Sequence, residues 1–119
     1  MPVRVPAADL LARVDAYAEQ LVELRRDLHA HPEVGHAERR TTEVVAARLR
    51  AAGLEPRLLP GTGLVCDVGP TDGRRVMLRA DLDALPVADT CAHPWRSQVP
   101  GVAHACGHDL HTAAGLGAG

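Results

Sequence analysis

The 119-residue sequence predicts a truncated α/β domain. Two segments with helical periodicity come first, two segments with strand alternation follow, and a last helical segment begins near Gly107. Two strands form too small a sheet to cover three helices. The chain also ends on small apolar residues without a polar tail. We therefore expect residues 1–119 to form one incomplete domain.

Two N-terminal helices are predicted over about 7–29 and 38–52. Apolar residues recur along the first at spacings of four and three, which predicts one helix face packed on a core: Leu10, Val14, Tyr17, Leu21, Leu24 and Leu28. This helix should end near Pro32, because the residue before a proline is disfavoured in the helical region. Gly53 is a typical residue for ending the second helix.

Two strands are predicted over about 62–69 and 75–81, where apolar and polar residues partly alternate. The residues between them, Gly69–Gly73, are rich in turn formers. The sequence therefore predicts a β-hairpin in this region.

Composition excludes several classes of function. The formal net charge is -2, which argues against nucleic acid and anionic membranes as partners. No apolar run approaches the roughly 20 residues that span a bilayer, and residues 1–6 contain no signal-peptide pattern. The expected compartment is the cytoplasm, where Cys66, Cys91 and Cys106 would be reduced.

The densest group of chemically capable residues is the octet His104–His111, which holds three imidazoles, a thiol and a carboxylate. Thiolate and imidazole together suit a borderline-soft cation such as zinc. Gly107 lies between Cys106 and His108 and allows the backbone to turn so that both side chains reach one ion. The alternative is a cluster of exposed histidines beside one buried cysteine.

Two further segments carry candidate ligands. Asp81 and Asp83 follow the second predicted strand, at the edge where open α/β sheets bind ligands. Either acid can bind a metal or orient a ligating imidazole, or both can be solvated turn residues. In the segment His29–Glu33, a histidine at a helix C-terminus is favoured by the helix dipole alone, so we interpret this segment as structural.

Four ordered segments resemble one family, the metal-dependent aminoacylase and carboxypeptidase peptidases, in the branch of hippurate hydrolases and indole-acetyl-amino-acid hydrolases. These segments are Leu24–Glu33, Glu38–Thr41, Arg79–Pro86 and Gly101–Thr112. The resemblance implies the N-terminal part of a mixed-sheet α/β catalytic domain with helices on both faces. It also implies that the inserted dimerisation and lid domain of relatives lies outside this sequence.

The resemblance further implies hydrolysis of N-acyl amino acid amides by metal-activated water at a centre of two divalent ions, such as Zn, Mn, Co or Ni. Cys106 and His108 match metal ligands. Asp83 matches an acid with a catalytic role, which orients a ligating imidazole. The partner would be a small-molecule N-acyl amino acid, and full-length relatives would be homo-oligomers. The general-base glutamate and the remaining ligands would lie outside this sequence, so the chain alone is expected to be inactive.

Two alternatives remain open. The chain can be a non-catalytic metal-binding or interaction module, or an inactive truncated product. The acyl group, the amino acid and the native metal are not specified by these residues.

Overall fold

The computed structural model describes residues 4–119; the predictions made for residues 1–3 lie outside this part. Within it, helix α1 covers Ala7–Ala30 and α2 covers Arg39–Ala51. Strand β1 covers Arg57–Leu58, β2 covers Leu64–Val65, and helix α3 covers His108–Ala118. None of the described helices is long and apolar enough to cross a membrane.

The three predicted helices are confirmed, each close to its predicted bounds. Helix α1 ends at Ala30, two residues before Pro32. Gly53 follows α2 with a φ of 82°, a left-handed conformation that glycine adopts without steric cost. Local periodicity and stop signals were therefore sufficient to locate these helices.

The core forms where α1 packs against α3. Leu24, Leu28 and Ala113 are buried together, and Leu116 packs against them partly buried. The N-terminal half of the predicted apolar face is exposed, as Leu10 at 50% and Tyr17 at 57% show. The prediction that this face packs on a core is therefore right only for the C-terminal half of α1.

The predicted hairpin between 62–69 and 75–81 is wrong. Strand β2 instead pairs antiparallel with β1, with Arg57 opposite Val65. Residues 75–81 form no strand, and Val76 and Met77 are 87% and 86% exposed. The physical reason is that a strand requires a neighbouring main chain, and no described segment forms backbone hydrogen bonds with 75–80.

Ala84 and Leu85, which follow this extended segment, form backbone hydrogen bonds with two other parts of the chain. Ala84 N donates to the carbonyl of Glu33 over 2.8 Å, in a parallel bridge between Val34 and Ala84. Leu85 and Ala103 exchange hydrogen bonds of 2.9 and 3.0 Å in an antiparallel bridge. These two bridges place Asp83 between the end of α1 and the octet that leads into α3.

The carboxylate of Glu33 fastens the start of α2. It accepts hydrogen bonds from Thr41 N at 2.6 Å, Thr41 Oγ1 at 2.7 Å and Arg40 N at 3.0 Å. Burial alone would raise the pKa of Glu33, but these donors outweigh it and lower the pKa below its ordinary value. These contacts support a structural role for Glu33, as the sequence analysis predicted for the segment His29–Glu33.

Candidate metal centre

Gly107 sets the entry into α3. It precedes the helix in the left-handed conformation, with a φ of 77°. A residue with a Cβ is strained in this conformation. The turn places His108 in the first turn of α3, while His104 and Cys106 lie in the loop before it.

His108 is held by Asp83. Its Nδ1 lies 2.9 Å from Asp83 Oδ1 and also 2.9 Å from the carbonyl oxygen of Asp83. Because both oxygens only accept hydrogen bonds, Nδ1 must carry the proton. The neutral ring then presents the Nε2 lone pair, which is the form that binds a metal. Asp83 thus contacts His108, and its role in catalysis stays a prediction.

Asp81 lies near the other ring nitrogen of this histidine. Its Oδ2 is 4.0 Å from His108 Nε2, and Oδ1 accepts a hydrogen bond from Arg79 Nε at 2.9 Å. The hydrogen bond and charge of Arg79 lower the pKa of Asp81, so the acid is held ionised. Thr112 Oγ1 donates to the carbonyl of Asp81 over 3.1 Å and ties this segment to α3.

Asp81, Asp83 and His108 each offer a ligand atom, and these atoms lie within 4.8 Å of one another. Sequence reasoning named both acids as candidate ligands, and the structure adds that Asp81 lies near Nε2 of His108. Alternation along an extended segment was the available signal, because residues two apart point to the same side.

Cys106 is not brought into this group. Its thiol is free and exposed, and Cys106 belongs to no group of three or more neighbouring ligand atoms within residues 4–119. The ring centroid of His111 lies 6.0 Å from that of His108. The joint binding of one ion by Cys106 and His108 therefore stays a prediction.

A second polar network surrounds His29 and is separate from the group of Asp81, Asp83 and His108. His29, at the end of α1, places Nδ1 2.9 Å from Asp109 Oδ2 and Nε2 3.1 Å from Asp89 Oδ2. Arg25 Nε donates to the same Asp109 oxygen over 2.9 Å. Backbone N–H groups of Ser97 and Cys91 donate to Asp89 and hold its pKa well below its ordinary value. Sequence reasoning did not connect His29 with Asp89 and Asp109, which lie 60 and 80 positions further along the chain.

His104 lies inside the molecule, 6% exposed, and neither ring nitrogen has a hydrogen-bond partner within the described residues. Burial lowers its pKa and favours the neutral ring. Its ring centroid is 6.5 Å from that of His29. His104 therefore lies beside the second network rather than among solvated histidines.

The chain is similar to known proteins in sequence and in fold. Residues 77–119 match the model of peptidase family M20/M25/M40. A solved structure from Bacillus subtilis, YXEP, superposes with a TM-score of 0.79 at 40% identity, over 84% of this chain and 29% of that one. It is described as a dinuclear metal binding peptidase from the M20 family.

Two relatives carry different names. N-acetyl-L-cysteine deacetylase of B. subtilis is 43% identical over 103 residues, which is 84% of this chain and 24% of the relative. A protein of Rhodococcus jostii, provisionally named glutamate–cysteine ligase 2-3, is 63% identical over 101 residues, 84% of this chain and 13% of that protein. The chain therefore spans less than a third of the length of each of these relatives.

The fold matches the N-terminal part of a solved M20 peptidase structure. The chain resembles peptidase family M20/M25/M40 through residues 77–119 and through its likeness to the N-terminal part of these relatives. The predicted family and fold class are confirmed by these comparisons.

Proposed function

We propose that this protein supplies part of the metal centre of an amidohydrolase that cleaves the amide bond of N-acyl amino acids. The observation that carries the proposal is the 2.9 Å contact between Asp83 Oδ1 and His108 Nδ1, which leaves Nε2 available to an ion. Every residue of this arrangement lies in the segment that matches the family model. Support for the substrate class comes from the deacetylase among the relatives.

His108 and Cys106 are the proposed ligands, and Asp81 is a further carboxylate within reach. Imidazole and thiolate suit Zn, Co or Ni, and carboxylate oxygen also suits Mn. Two such ions, when bound, would polarise an amide carbonyl and make a water molecule more acidic.

Asp83 acts in this proposal as a positioning residue. Its carboxylate and its carbonyl both accept from Nδ1, which fixes the ring orientation and the tautomer of His108. The bridges of Ala84 to Val34 and of Leu85 to Ala103 hold Asp83 in place. No glutamate occurs after Glu55, so none lies in the matched segment to take a proton from water. The chain by itself is expected to be inactive.

The proposed partner is a small-molecule N-acyl amino acid and not a nucleic acid or a membrane, in keeping with the net charge of -2. The compartment proposed is the cytoplasm. A homo-oligomer is proposed for the complete enzyme from the family resemblance alone.

A chimera tests the proposal against the alternative of a non-catalytic metal-binding module. Residues 20–119 replace the matching segment of the B. subtilis N-acetyl-L-cysteine deacetylase, and release of acetate from N-acetyl-L-cysteine is measured with added Zn, Mn, Co or Ni. We expect turnover, with a loss of at least 100-fold after Cys106→Ala or His108→Ala.

The matched control replaces Cys66, a partly exposed free cysteine, by alanine and should retain activity. A chimera that folds and binds metal but shows no turnover would contradict the amidohydrolase assignment and favour the module.

A further inference from the structure

We propose a second, separate metal site for a zinc-like cation, formed by His29, Asp89 and Cys91. The three residues offer an imidazole nitrogen, a carboxylate oxygen and a thiol sulfur, and these atoms lie within 4.8 Å of one another. None of the three was a candidate ligand in the first centre. The three come from the end of α1 and from the loop after residue 86, so the tertiary fold alone brings them together.

The spacing of the first two donors fits a tetrahedral ion. His29 Nε2 and Asp89 Oδ2 are 3.1 Å apart. Zinc binds nitrogen and oxygen at about 2.0–2.2 Å, so two such ligands of a tetrahedral ion lie about 3.3 Å apart. A cation can therefore replace the proton between these atoms with a shift of a few tenths of an ångström. The exposed thiol of Cys91 already lies within 4.8 Å of both donors.

His29 already has the surroundings of a ligating imidazole. Its Nδ1 lies 2.9 Å from Asp109 Oδ2, and this carboxylate is 1% exposed and also bound by Arg25. Histidines that bind metals usually donate their other N–H to such a carboxylate, which orients the ring and strengthens its donor nitrogen. This buried Asp109–His29 pair is the second observation that points to an ion rather than to a chance cluster.

The remaining donors determine the kind of ion. Asp89 is held ionised by the N–H groups of Ser97 and Cys91, each 2.8–2.9 Å from one of its oxygens. One nitrogen, one oxygen and one sulfur donor favour Zn²⁺ or Co²⁺ over Mg²⁺ and Ca²⁺, which prefer all-oxygen sites. Three protein ligands leave the fourth position of a tetrahedral ion open on the exposed side, where Cys91 lies.

An ion at this site would join the loop after residue 86 to α1. The loop is already held there by Gln98 N, which donates to the carbonyl of Ala30 over 2.9 Å. Since Asp109 is the neighbour of His108 in α3, the second site would also stiffen the helix turn that carries the first. The proposal does not depend on the amidohydrolase function.

Cobalt titration of the full chain tests the site. The Cys66→Ser/Cys106→Ser double variant keeps Cys91 as its single thiol. It also lacks Cys106, the proposed thiolate ligand of the first centre. We expect one Co²⁺ per chain with near-ultraviolet thiolate-to-cobalt absorption, lost after Cys91→Ser. Asp89→Asn should weaken Co²⁺ binding at least tenfold, while Asp67→Asn, a matched exposed aspartate, should not.

A second measurement uses the wild-type chain and needs no substitution. Zn²⁺ should slow the alkylation of Cys91 at least tenfold, with Cys66 and Cys91 followed separately by mass spectrometry and Cys66 as the internal reference. Cobalt absorption that survives Cys91→Ser, or equal alkylation of Cys91 with and without Zn²⁺, would overturn the proposal. If the chain binds an ion at the second site but none at Cys106 and His108, the second site stands. That result would count against the proposed function instead.

Discussion

Replacing Asp83 by asparagine isolates the part that a carboxylate plays in positioning His108. Asparagine has nearly the same shape, and its amide oxygen can still accept from Nδ1. What is lost is the negative charge 2.9 Å from the ring nitrogen. The lone pair on Nε2 then becomes a weaker donor toward a metal.

The structure sets the size of the effect. Loss of a carboxylate behind a ligating histidine commonly lowers metal affinity about 10- to 100-fold. The side chain of Asp83 is 35% exposed, so water screens part of its charge. The carbonyl of Asp83, also 2.9 Å from Nδ1, continues to hold the tautomer. We therefore expect a loss near the lower end, about 10-fold or 1.4 kcal/mol.

The assay is competition between the protein and a chromophoric chelator for Zn²⁺, with Asp81→Asn as the matched control. The charge of Asp81 is already partly offset by Arg79, so this control should cost less. Nitrogen NMR of His108 in the metal-free protein should show the Nδ1–H tautomer in wild type. Equal losses for the two variants, or an Nε2–H tautomer in wild type, would refute the assignment of Asp83.

Three further predictions concern stability and activity. Leu28→Ala should lower the free energy of unfolding by about 2–5 kcal/mol, because Leu28 is fully buried. Leu11 is 65% exposed, so Leu11→Ala should change the free energy of unfolding by less than about 0.5 kcal/mol. Urea unfolding measures both values. The pKa of Glu33 is lowered on folding, so its stabilisation is present above its ordinary pKa of 4.5 and is lost as pH falls through the folded value. The difference in free energy of unfolding between wild type and Glu33→Gln should thus become smaller as the pH is lowered from 7 into the acid range. A difference that stays constant with pH would contradict this prediction. The chain alone, with Zn, Mn, Co or Ni, should hydrolyse N-acyl amino acids no faster than its Cys106→Ala variant, and turnover that rises with protein concentration would show otherwise.

Local sequence determined the helices and the composition of the first site. Apolar spacing along 7–29 and the stop at Gly53 are properties of neighbouring residues, so they were readable without a fold. Gly107 beside Cys106 and His108 likewise predicted a turn, which the left-handed φ of 77° bears out. The identity of possible ligands was therefore available from residue types and short spacing.

The tertiary structure alone decided which of these residues meet. Asp83 reaches His108 across 25 positions, and His29 reaches Asp109 across 80, because α1 packs on α3 and two bridges hold the segment between them. The same dependence on distant chain explains the failed hairpin, since alternation shows which residues suit a strand but not which main chain lies beside it. Helices satisfy their hydrogen bonds locally, whereas strand pairing and the assembly of a metal site require contacts between residues far apart in sequence.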